Sequence, residues 1–207
     1  GVTRPEILAT LLAYDDAGAG VLRHAPHSGY VRLESEHALV IADVGGAPPR
    51  DFSSDGCAGA LSFELSSGAQ RLVVNCGAPE RSRAPMREAA RQTAAHSTLV
   101  IGDVSSCRFA PTQALSAWLD AQIIAGPRIV DLTRASDGLS IAASHDGYRR
   151  RFGRLHRRAL WLSPAGLVGE DELLGAGAEA GASPPEHALR FHLHPAVRPS
   201  IAPGGGP

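Results

Sequence analysis

From Tyr30 onward the chain consists largely of short apolar runs with a period of two, and this pattern restricts the fold more than any other feature. Turn residues separate the runs YVRLE, HALVIADV, GALSFELSS, QRLVVNC, STLVIGD and RIVDLTR. Such runs predict strands, and successive strands without intervening helices favour antiparallel sheets packed face to face. We therefore expect a mainly β fold, an antiparallel β-sandwich, over residues 21–200.

Two segments carry helical signals instead. Thr3 and Glu6 form a capping box ahead of apolar residues on one stripe, which predicts a short helix within residues 1–20. The segment Pro85–Ala95 is expected to form a short helix or an ordered loop before the next strand. Residues 201–207 read IAPGGGP, which is typical of a flexible tail.

The composition is that of an ordinary globular protein. Apolar residues make up 43% of the 207 residues and the formal net charge is -1, so nucleic acid is not an expected partner. No stretch approaches the roughly 20 apolar residues that a membrane-spanning helix needs, so no membrane span is expected. The three cysteines lack C-x-x-C spacing, which argues against a disulfide framework or a thiolate zinc site and favours buried thiols.

The sequence lacks the common catalytic signatures, including G-x-S-x-G, H-E-x-x-H and the Walker loop. Histidines are the remaining candidates. His96 stands in AAHSTLVIGD, directly ahead of a predicted strand. By position alone, His96 is more simply a polar residue at the mouth of a strand than a reagent or a ligand.

A second candidate group lies in the motif SHDGY. Asp146 and Gly147 predict a tight type I′ hairpin turn, because this dipeptide tolerates positive φ angles. In the simpler interpretation the motif is a surface hairpin. In the functional interpretation, His145 and Tyr148 point the same way beside a cleft and bind or exchange protons with a substrate.

The motif FHLHP places His192 and His194 on one face of a predicted strand, a spacing that metal sites often use. A zinc site needs at least a third protein ligand, and no neighbouring Cys, Asp or Glu supplies one. We therefore expect neither a metal nor another cofactor.

The segment YRRRFGRLHRRALWL has the highest density of charge in the chain. Read as one strand, it has no cleanly apolar face, which favours a solvated edge strand protected from aggregation by its charges. The alternative is a row of guanidinium groups, Arg151 among them, that binds carboxylates or sulfates of an acidic ligand.

Taken together and in order, several motifs resemble the C-terminal β-domain of bacterial heparinase II/III-family proteins. The motifs are SGYVRLESEHALVIADVG, GALSFELSSGAQRLVVNCG, AAHSTLVIGDVSSCRF, SHDGYRRRFGRLHRRALWLS, GEDEL and RFHLHP. Members of this family are polysaccharide lyases or their relatives, in which an α/α toroid precedes a β-sandwich. The resemblance spans about Tyr30 to Pro195 and implies that residues 1–20 are the terminal helix of a preceding toroid domain.

The resemblance also implies a reaction, the β-elimination of glycans that contain uronic acid. This reaction needs a base for the C5 proton, a group that stabilises the resulting charge, and an acid for the leaving oxygen. His96 matches the family's cleft histidine and is the implied catalytic residue, and His145, Tyr148 and Arg151 are the implied substrate contacts. Some members bind a structural zinc with a histidine two residues after the cleft histidine. Thr98 occupies that position here, which argues against zinc, although His145 matches another ligand of that site.

Two functions remain open. The first is the C-terminal domain of a polysaccharide lyase, with an acidic polysaccharide as substrate and the N-terminal toroid of the same protein as partner. The isolated chain is then expected to be inactive, because the toroid supplies part of the active site. The second is a non-catalytic module that supports a helical domain or binds an acidic envelope glycan. The substrate class favours the periplasm or cell envelope.

Overall fold

The computed structural model describes residues 22–77, 79, 84–111, 122–176, 183 and 185–200. Antiparallel strands dominate these residues, which confirms the mainly β fold expected from the sequence. The helix expected within residues 1–20 and the tail expected at 201–207 lie outside the described residues. Among the described residues no helix is long and apolar enough to cross a membrane.

The larger sheet has six antiparallel strands in the order β1-β2-β3-β4-β5-β14. Its strands are β1 (His24–Ala25), β2 (Tyr30–Glu34), β3 (Ala38–Asp43), β4 (Phe63–Ser67), β5 (Gln70–Val74) and β14 (His192–Leu193). The last of these strands returns from far along the chain to pair with β5, so that the predicted strand FHLHP forms an edge of this sheet.

The smaller main sheet has four antiparallel strands in the order β12-β11-β10-β9. Its strands are β9 (Ile129–Arg134), β10 (Ser140–His145), β11 (Arg154–Ser163) and β12 (Gly166–Gly175). Two short pairs complete the described strands: β6 (Leu99–Ile101) with β13 (His187–Leu189), and β7 (Arg108–Phe109) with β8 (Ile123–Ala125).

The core lies between the two main sheets, as the alternating pattern predicts. In β3, Val40 and Ala42 are buried in this core, whereas Ile41 and Asp43 line a cavity outside it. This arrangement follows from the period of two, because successive side chains of a strand point to opposite faces. The opposite wall of the core comes from β10 and β11. The fully packed members of the core are Val31, Leu33, Val40, Ala42, Val44, Leu61, Phe63, Ile141, Ala143, Leu160 and Leu162.

A helix, Ala84–Arg91, and a 3-10 turn, Thr93–Ala95, lead the chain into His96. The expectation of a short helix in this segment is therefore confirmed. The guanidinium of Arg91 is buried under this helix and donates hydrogen bonds to the carbonyl oxygens of Ser53 at 2.9 Å and Gly56 at 2.8 Å. These bonds attach the helix to the loop before β4.

The prediction of a tight type I′ turn at SHDGY is wrong. Gly147 is not among the glycines with positive φ, and the chain instead enters a helical turn, Arg149–Phe152, before β11 begins at Arg154. Gly153, with φ of 62°, ends this turn in the left-handed conformation that a side chain disfavours. The arginine-rich segment is therefore a helical turn followed by a strand.

The prediction of a solvated edge strand is also wrong. β11 pairs with β10 on one side and with β12 on the other, and Arg154, His156 and Arg158 are buried. The sequence pattern misled because arginine and histidine are usually exposed, whereas here their polar groups form hydrogen bonds inside the protein.

Candidate functional site

His96 lies at the end of the 3-10 turn, in extended backbone geometry, and is only 7% exposed. Its Nδ1 lies 2.9 Å from the carbonyl oxygen of Gln92. Because a carbonyl oxygen can only accept a hydrogen bond, Nδ1 carries the proton and Nε2 carries a lone pair. No described residue donates a hydrogen bond to Nε2, so the lone pair remains available to a ligand.

The imidazole of His96 lines a cavity of about 690 Å³. Polar side chains from the outer face of the larger sheet share this cavity, namely Tyr30, Asp43, Glu64 and Asn75. Gly59 supports the ring from one side: a Cβ atom at this position would lie 2.8 Å from Cδ2 of His96. A side chain at position 59 is therefore incompatible with the observed orientation of the imidazole.

Burial lowers the pKa of His96 below its usual value, because the surrounding protein solvates the imidazolium poorly. The hydrogen bond to the Gln92 carbonyl opposes this effect, and the charge of His192 adds to it. The net pKa is lowered, so His96 is neutral at neutral pH. A neutral imidazole with an open lone pair can accept a proton.

Asp43 is the second unusual titratable group of this cavity. Its Oδ1 accepts a hydrogen bond from the backbone N–H of Gly45 at 3.0 Å. Burial raises the pKa of Asp43 to about 7, even though this hydrogen bond favours the ionised form. Tyr30 lies close by, and the Asp43 charge is the main reason that the pKa of the Tyr30 phenol is also raised.

Asn75 connects the wall of the cavity to the segment after His96. Its side-chain Nδ2 and backbone N–H donate to Glu64 Oε1 at 3.4 and 3.3 Å, and its Oδ1 accepts from the backbone N–H of Ser97 at 2.9 Å. The Ser97 hydroxyl donates to the Val74 carbonyl at 2.8 Å and accepts from the His192 backbone N–H at 2.9 Å. These bonds fix Ser97, and with it the position of its neighbour His96.

His145 and His156 form a separate, closed hydrogen-bond chain in the smaller sheet. The backbone N–H of Gly147 donates to Nδ1 of His145 at 3.1 Å, so the proton of His145 is on Nε2 and points at Nδ1 of His156, 3.2 Å away. The Nε2–H of His156 then donates to Oδ1 of Asp171 at 2.6 Å. Every ring nitrogen of this pair therefore has a partner.

Burial also dominates the titration of this chain. It lowers the pKa of His145 to about 3, with further contributions from the charges of His156 and Arg158, and it lowers the pKa of His156 against the opposing effect of Asp171. Burial raises the pKa of Asp171, but the hydrogen bonds from His156 and Arg158 outweigh it and lower the pKa overall. The hydrogen-bond chain therefore consists of two neutral histidines followed by the ionised carboxylate of Asp171.

Arg158 links this chain to the His96 segment. Its Nε and Nη2 donate to both carboxylate oxygens of Asp171 at 2.8 and 3.0 Å. Its Nη1 donates to the carbonyl oxygens of Leu61 at 2.7 Å and Ser97 at 2.8 Å. Ser97 follows His96 directly, and Leu61 lies two residues beyond the glycine that supports the imidazole. The buried ion pair therefore supports the floor of the cavity.

The substrate contacts expected at His145 and Tyr148 lie in the interior. The Tyr148 hydroxyl donates to the Leu99 carbonyl at 3.0 Å, and its ring packs with Ile101 in a small apolar cluster. The rings of His145 and Tyr148 do lie together, with centroids 5.6 Å apart. Because the polar atoms of both residues are used internally, the geometry favours a structural role, and their contact with substrate stays a prediction.

Arg151, the third expected substrate contact, is exposed and lines a second cavity of about 610 Å³. Its guanidinium stacks on the ring of Phe152, 5.6 Å from the ring centroid. Cys107 lines both cavities. The sequence identified Arg151 as a candidate, but not the second cavity around it.

His192 and His194 do not act as a pair. Nε2 of His192 donates to the Ala94 carbonyl at 2.9 Å, which leaves Nδ1 to accept from the Cys76 thiol at 3.5 Å. His194 instead accepts a hydrogen bond from a backbone N–H two residues later. Within the described ranges, no group of three His, Cys, Asp or Glu residues could hold a metal ion.

All three cysteines are free thiols, and only Cys107 is buried, so the expectation of buried thiols is wrong for Cys57 and Cys76.

Reasoning from sequence also missed Asp43 as a residue of the candidate site, although one signal was present. Asp43 is the polar residue that ends the alternating run ALVIAD on the face opposite Val40 and Ala42.

The described residues thus form an antiparallel β-sandwich in which a neutral histidine lines a polar cavity beside the larger sheet. Residues 18–205 match the family described as Heparinase II/III-like, C-terminal. The chain belongs to this family of polysaccharide lyase-like proteins, as its C-terminal domain, and the resemblance read from the motifs is confirmed.

FtsZ-localized protein C from Caulobacter vibrioides (strain NA1000 / CB15N) is 37% identical to this chain over 214 residues. The match covers 97% of this chain and 36% of that protein, so the chain spans about a third of its curated relative.

Two solved structures are similar at much lower identity. A mutant of the heparan sulfate lyase HepC from Pedobacter heparinus is 13% identical, with a TM-score of 0.50 over 76% of this chain and 23% of that one. A heparinase III is 16% identical, with a TM-score of 0.49 over 77% of this chain and 22% of that one. The likeness to HepC supports the shared fold.

Proposed function

We propose that this chain is the sandwich half of a polysaccharide lyase, in which His96 exchanges a proton with an acidic glycan during β-elimination. One observation carries the proposal: His96 is neutral, is oriented by the Gln92 carbonyl, and presents its Nε2 lone pair to a cavity of about 690 Å³. Such a group can accept the C5 proton of a uronate. The remaining catalytic groups come from an N-terminal α/α toroid of the same protein.

The acidic residues of the cavity set a condition on this reaction. A uronate carboxylate beside Asp43 is favoured only when Asp43 is protonated, because two adjacent carboxylates repel each other. The pKa of about 7 keeps Asp43 largely neutral below neutral pH. His96 must be neutral to act as a base, which its lowered pKa permits at mildly acidic pH. The proposed reaction is therefore fastest between the lowered pKa of His96 and about pH 7.

The experiment uses the complete protein, incubated with a panel of uronic-acid polysaccharides while the ultraviolet absorbance of unsaturated uronates is followed. We expect His96→Ala to lower kcat/KM by roughly 10²- to 10⁴-fold, the range for loss of a general acid or base. The matched control is His37→Ala, because His37 is an exposed histidine in the β2–β3 turn. Full activity in a folded His96→Ala protein would contradict the proposal.

The pH condition is tested on the same protein. We expect the kcat/KM of the unchanged protein to fall above pH 7, and the kcat/KM of Asp43→Asn to remain level there, because the amide cannot ionise. A decline of the same size in both proteins would exclude Asp43 as the cause of the alkaline limb.

One finding favours a second candidate function, that of a non-catalytic module. The relative that is 37% identical over nearly the whole chain is named for its localisation with FtsZ. In this alternative, the protein shares that localisation, and the sandwich supports a helical domain without cleaving a glycan. A fluorescent fusion imaged together with FtsZ tests it: co-localisation that His96→Ala leaves unchanged, without lyase activity on any glycan, would favour the module over the enzyme.

We further propose that the protein acts in the periplasm or cell envelope, because the proposed substrate is an acidic envelope glycan. A fusion of the complete protein to alkaline phosphatase tests this location, because alkaline phosphatase becomes active only outside the cytoplasm. An inactive but stable fusion would place the protein in the cytoplasm and weaken the case for an envelope substrate.

A further inference from the structure

Three arginines line the second cavity, which we call the arginine cavity. Arg108 comes from β7, and Arg150 and Arg151 come from the helical turn before β11. The cavity has a volume of about 610 Å³, within the size range of small-molecule sites. All three side chains are exposed and therefore accessible to a ligand.

The charge of this cavity is not balanced from within. Among the described residues, Arg108, Arg150 and Arg151 form no ion pair, whereas several arginines elsewhere in the protein pair with carboxylates. Those pairs are Arg32 with Glu34, Arg87 with Asp55, Arg157 with Glu172, Arg158 with Asp171 and Arg190 with Asp103.

Among the described residues that line the arginine cavity, Asp146 carries the one carboxylate. Its Oδ1 already accepts a hydrogen bond from the backbone N–H of Arg128 at 2.7 Å. The described lining therefore carries one carboxylate and three guanidinium groups, which together have a positive charge. Like charges around one cavity repel each other, and a bound anion relieves this repulsion.

The side chains suit one class of anion. The planar guanidinium group donates two parallel hydrogen bonds, which match the oxygen atoms of phosphate and sulfate. Phe152 adds an aromatic surface against which Arg151 already stacks, so the cavity also offers an apolar wall to the body of a ligand. We propose that the arginine cavity is a second ligand site, which binds a phosphate or sulfate group through Arg108, Arg150 and Arg151.

This site is separate from the one that contains His96. Among the described residues, no arginine lines the cavity of His96 and no histidine lines the arginine cavity. The two cavities share the lining residue Cys107. The site is therefore defined by its own residues and does not depend on the proposed lyase activity.

The experiment is calorimetric titration of the complete protein with sodium phosphate and, in a second series, sodium sulfate, at constant ionic strength maintained with chloride. We expect saturable binding, weakened about tenfold or more by Arg108→Gln or Arg151→Gln and lost in the double variant. The matched control is Arg71→Gln, which removes an exposed arginine of β5 in the larger sheet, and we expect it to bind as the unchanged protein does. Circular dichroism verifies that each variant is folded.

Further titrations identify the source of the anion. Tighter binding of a sugar phosphate than of a sulfated sugar indicates a phosphorylated ligand, and the reverse order indicates a sulfated glycan. Absence of saturable binding of both ions, or equal weakening by Arg71→Gln, would overturn the site. His96→Ala should leave anion binding intact, so the failure of this inference and the failure of the proposed lyase function are distinguishable.

Discussion

The protein contains two groups of buried histidine that differ in one respect. His96 and the pair His145–His156 all have lowered pKa values because of burial, and all are neutral at neutral pH. All four ring nitrogens of the pair are used within a hydrogen-bond chain that ends on Asp171. His96 has one nitrogen fixed and the other facing a cavity.

The difference shows that a shifted pKa does not by itself identify a functional histidine. Structural networks also perturb pKa values, as the one around Asp171 does. An unused lone pair beside space for a ligand distinguishes His96. The closed network has a supporting task instead, because Arg158 connects Asp171 to the carbonyl of Ser97 beside His96.

The largest effect is expected from disrupting the closed hydrogen-bond network of His145, His156, Asp171 and Arg158. Arg158→Met leaves Asp171 buried without its guanidinium partner and should lower the free energy of unfolding by about 3 to 5 kcal/mol. The control, Arg157→Met on the same strand, removes a partly exposed pair with Glu172 and should cost less than about 1 kcal/mol. Urea denaturation measures both. Equal losses of unfolding free energy in the two variants would show that the buried pair of Arg158 and Asp171 stabilises the fold no more than the partly exposed pair does.

The second prediction concerns Asp43, in the cavity that His96 lines. The pKa of Asp43 is about 7 in the folded protein, higher than its ordinary value of 3.8. Between these two pH values, the carboxyl group of Asp43 is protonated in the folded state and ionised in the unfolded state. This difference lowers stability progressively as the pH rises from about 4 to about 7. Asp43→Asn should therefore raise the free energy of unfolding at pH 8 by on the order of 2 to 4 kcal/mol.

At pH 3 the stabilities of Asp43→Asn and the unchanged protein should converge, because both states then hold the proton. The exposed Asp51 provides the control, and Asp51→Asn should leave the pH dependence unchanged. Denaturant titrations over this pH range make the comparison. A gain that is independent of pH would exclude ionisation of Asp43 as its source.

A smaller effect is expected when a side chain is introduced at position 59, beside the imidazole of His96. Gly59→Ala should displace the imidazole of His96 and lower the free energy of unfolding by about 1 to 3 kcal/mol, the usual range for overpacking. In the control Gly169→Ala, the new Cβ would meet the end of the flexible Leu160 side chain, so the loss should stay below about 1 kcal/mol. Thermal unfolding gives the stabilities, and histidine NMR shows whether the His96 signal moves.

The smallest perturbation is a titration of the unchanged protein. We expect His145 to remain neutral down to about pH 3 and His96 to protonate at a pH below the usual range of histidine. Nitrogen-15 NMR also reports the tautomers, and we expect the proton on Nδ1 of His96 and on Nε2 of His145. The opposite tautomer at His96 would turn a proton toward the cavity and remove its role as a base.

The elements predicted best from the sequence were those with regular periodicity. The alternation in β2 and β3 correctly separated core residues such as Val31 and Val40 from the outer face, because one buried side of a sheet imposes a period of two. The arginine-rich segment was predicted poorly. Its residues Arg154 and Arg158 read as solvated, although Arg158 is buried beside Asp171, 13 residues away in sequence.

The candidate site was predictable only in part. His96 could be identified from the motif around it, but the neutral state of its ring depends on burial and on the Gln92 carbonyl, which only the folded chain provides. Asp43 and the arginine cavity were not identified, because their properties come from residues distant in sequence that share a cavity.

By itself, then, the sequence determined the antiparallel sandwich, the family and the candidacy of His96. These follow from side-chain period and local motifs, which are properties of contiguous residues. The tertiary structure alone decided which histidines are closed off and which one faces a cavity, which arginines are paired, and where the pKa of a carboxyl is raised. Those properties depend on desolvation and on partners from distant strands, and no local pattern encodes them.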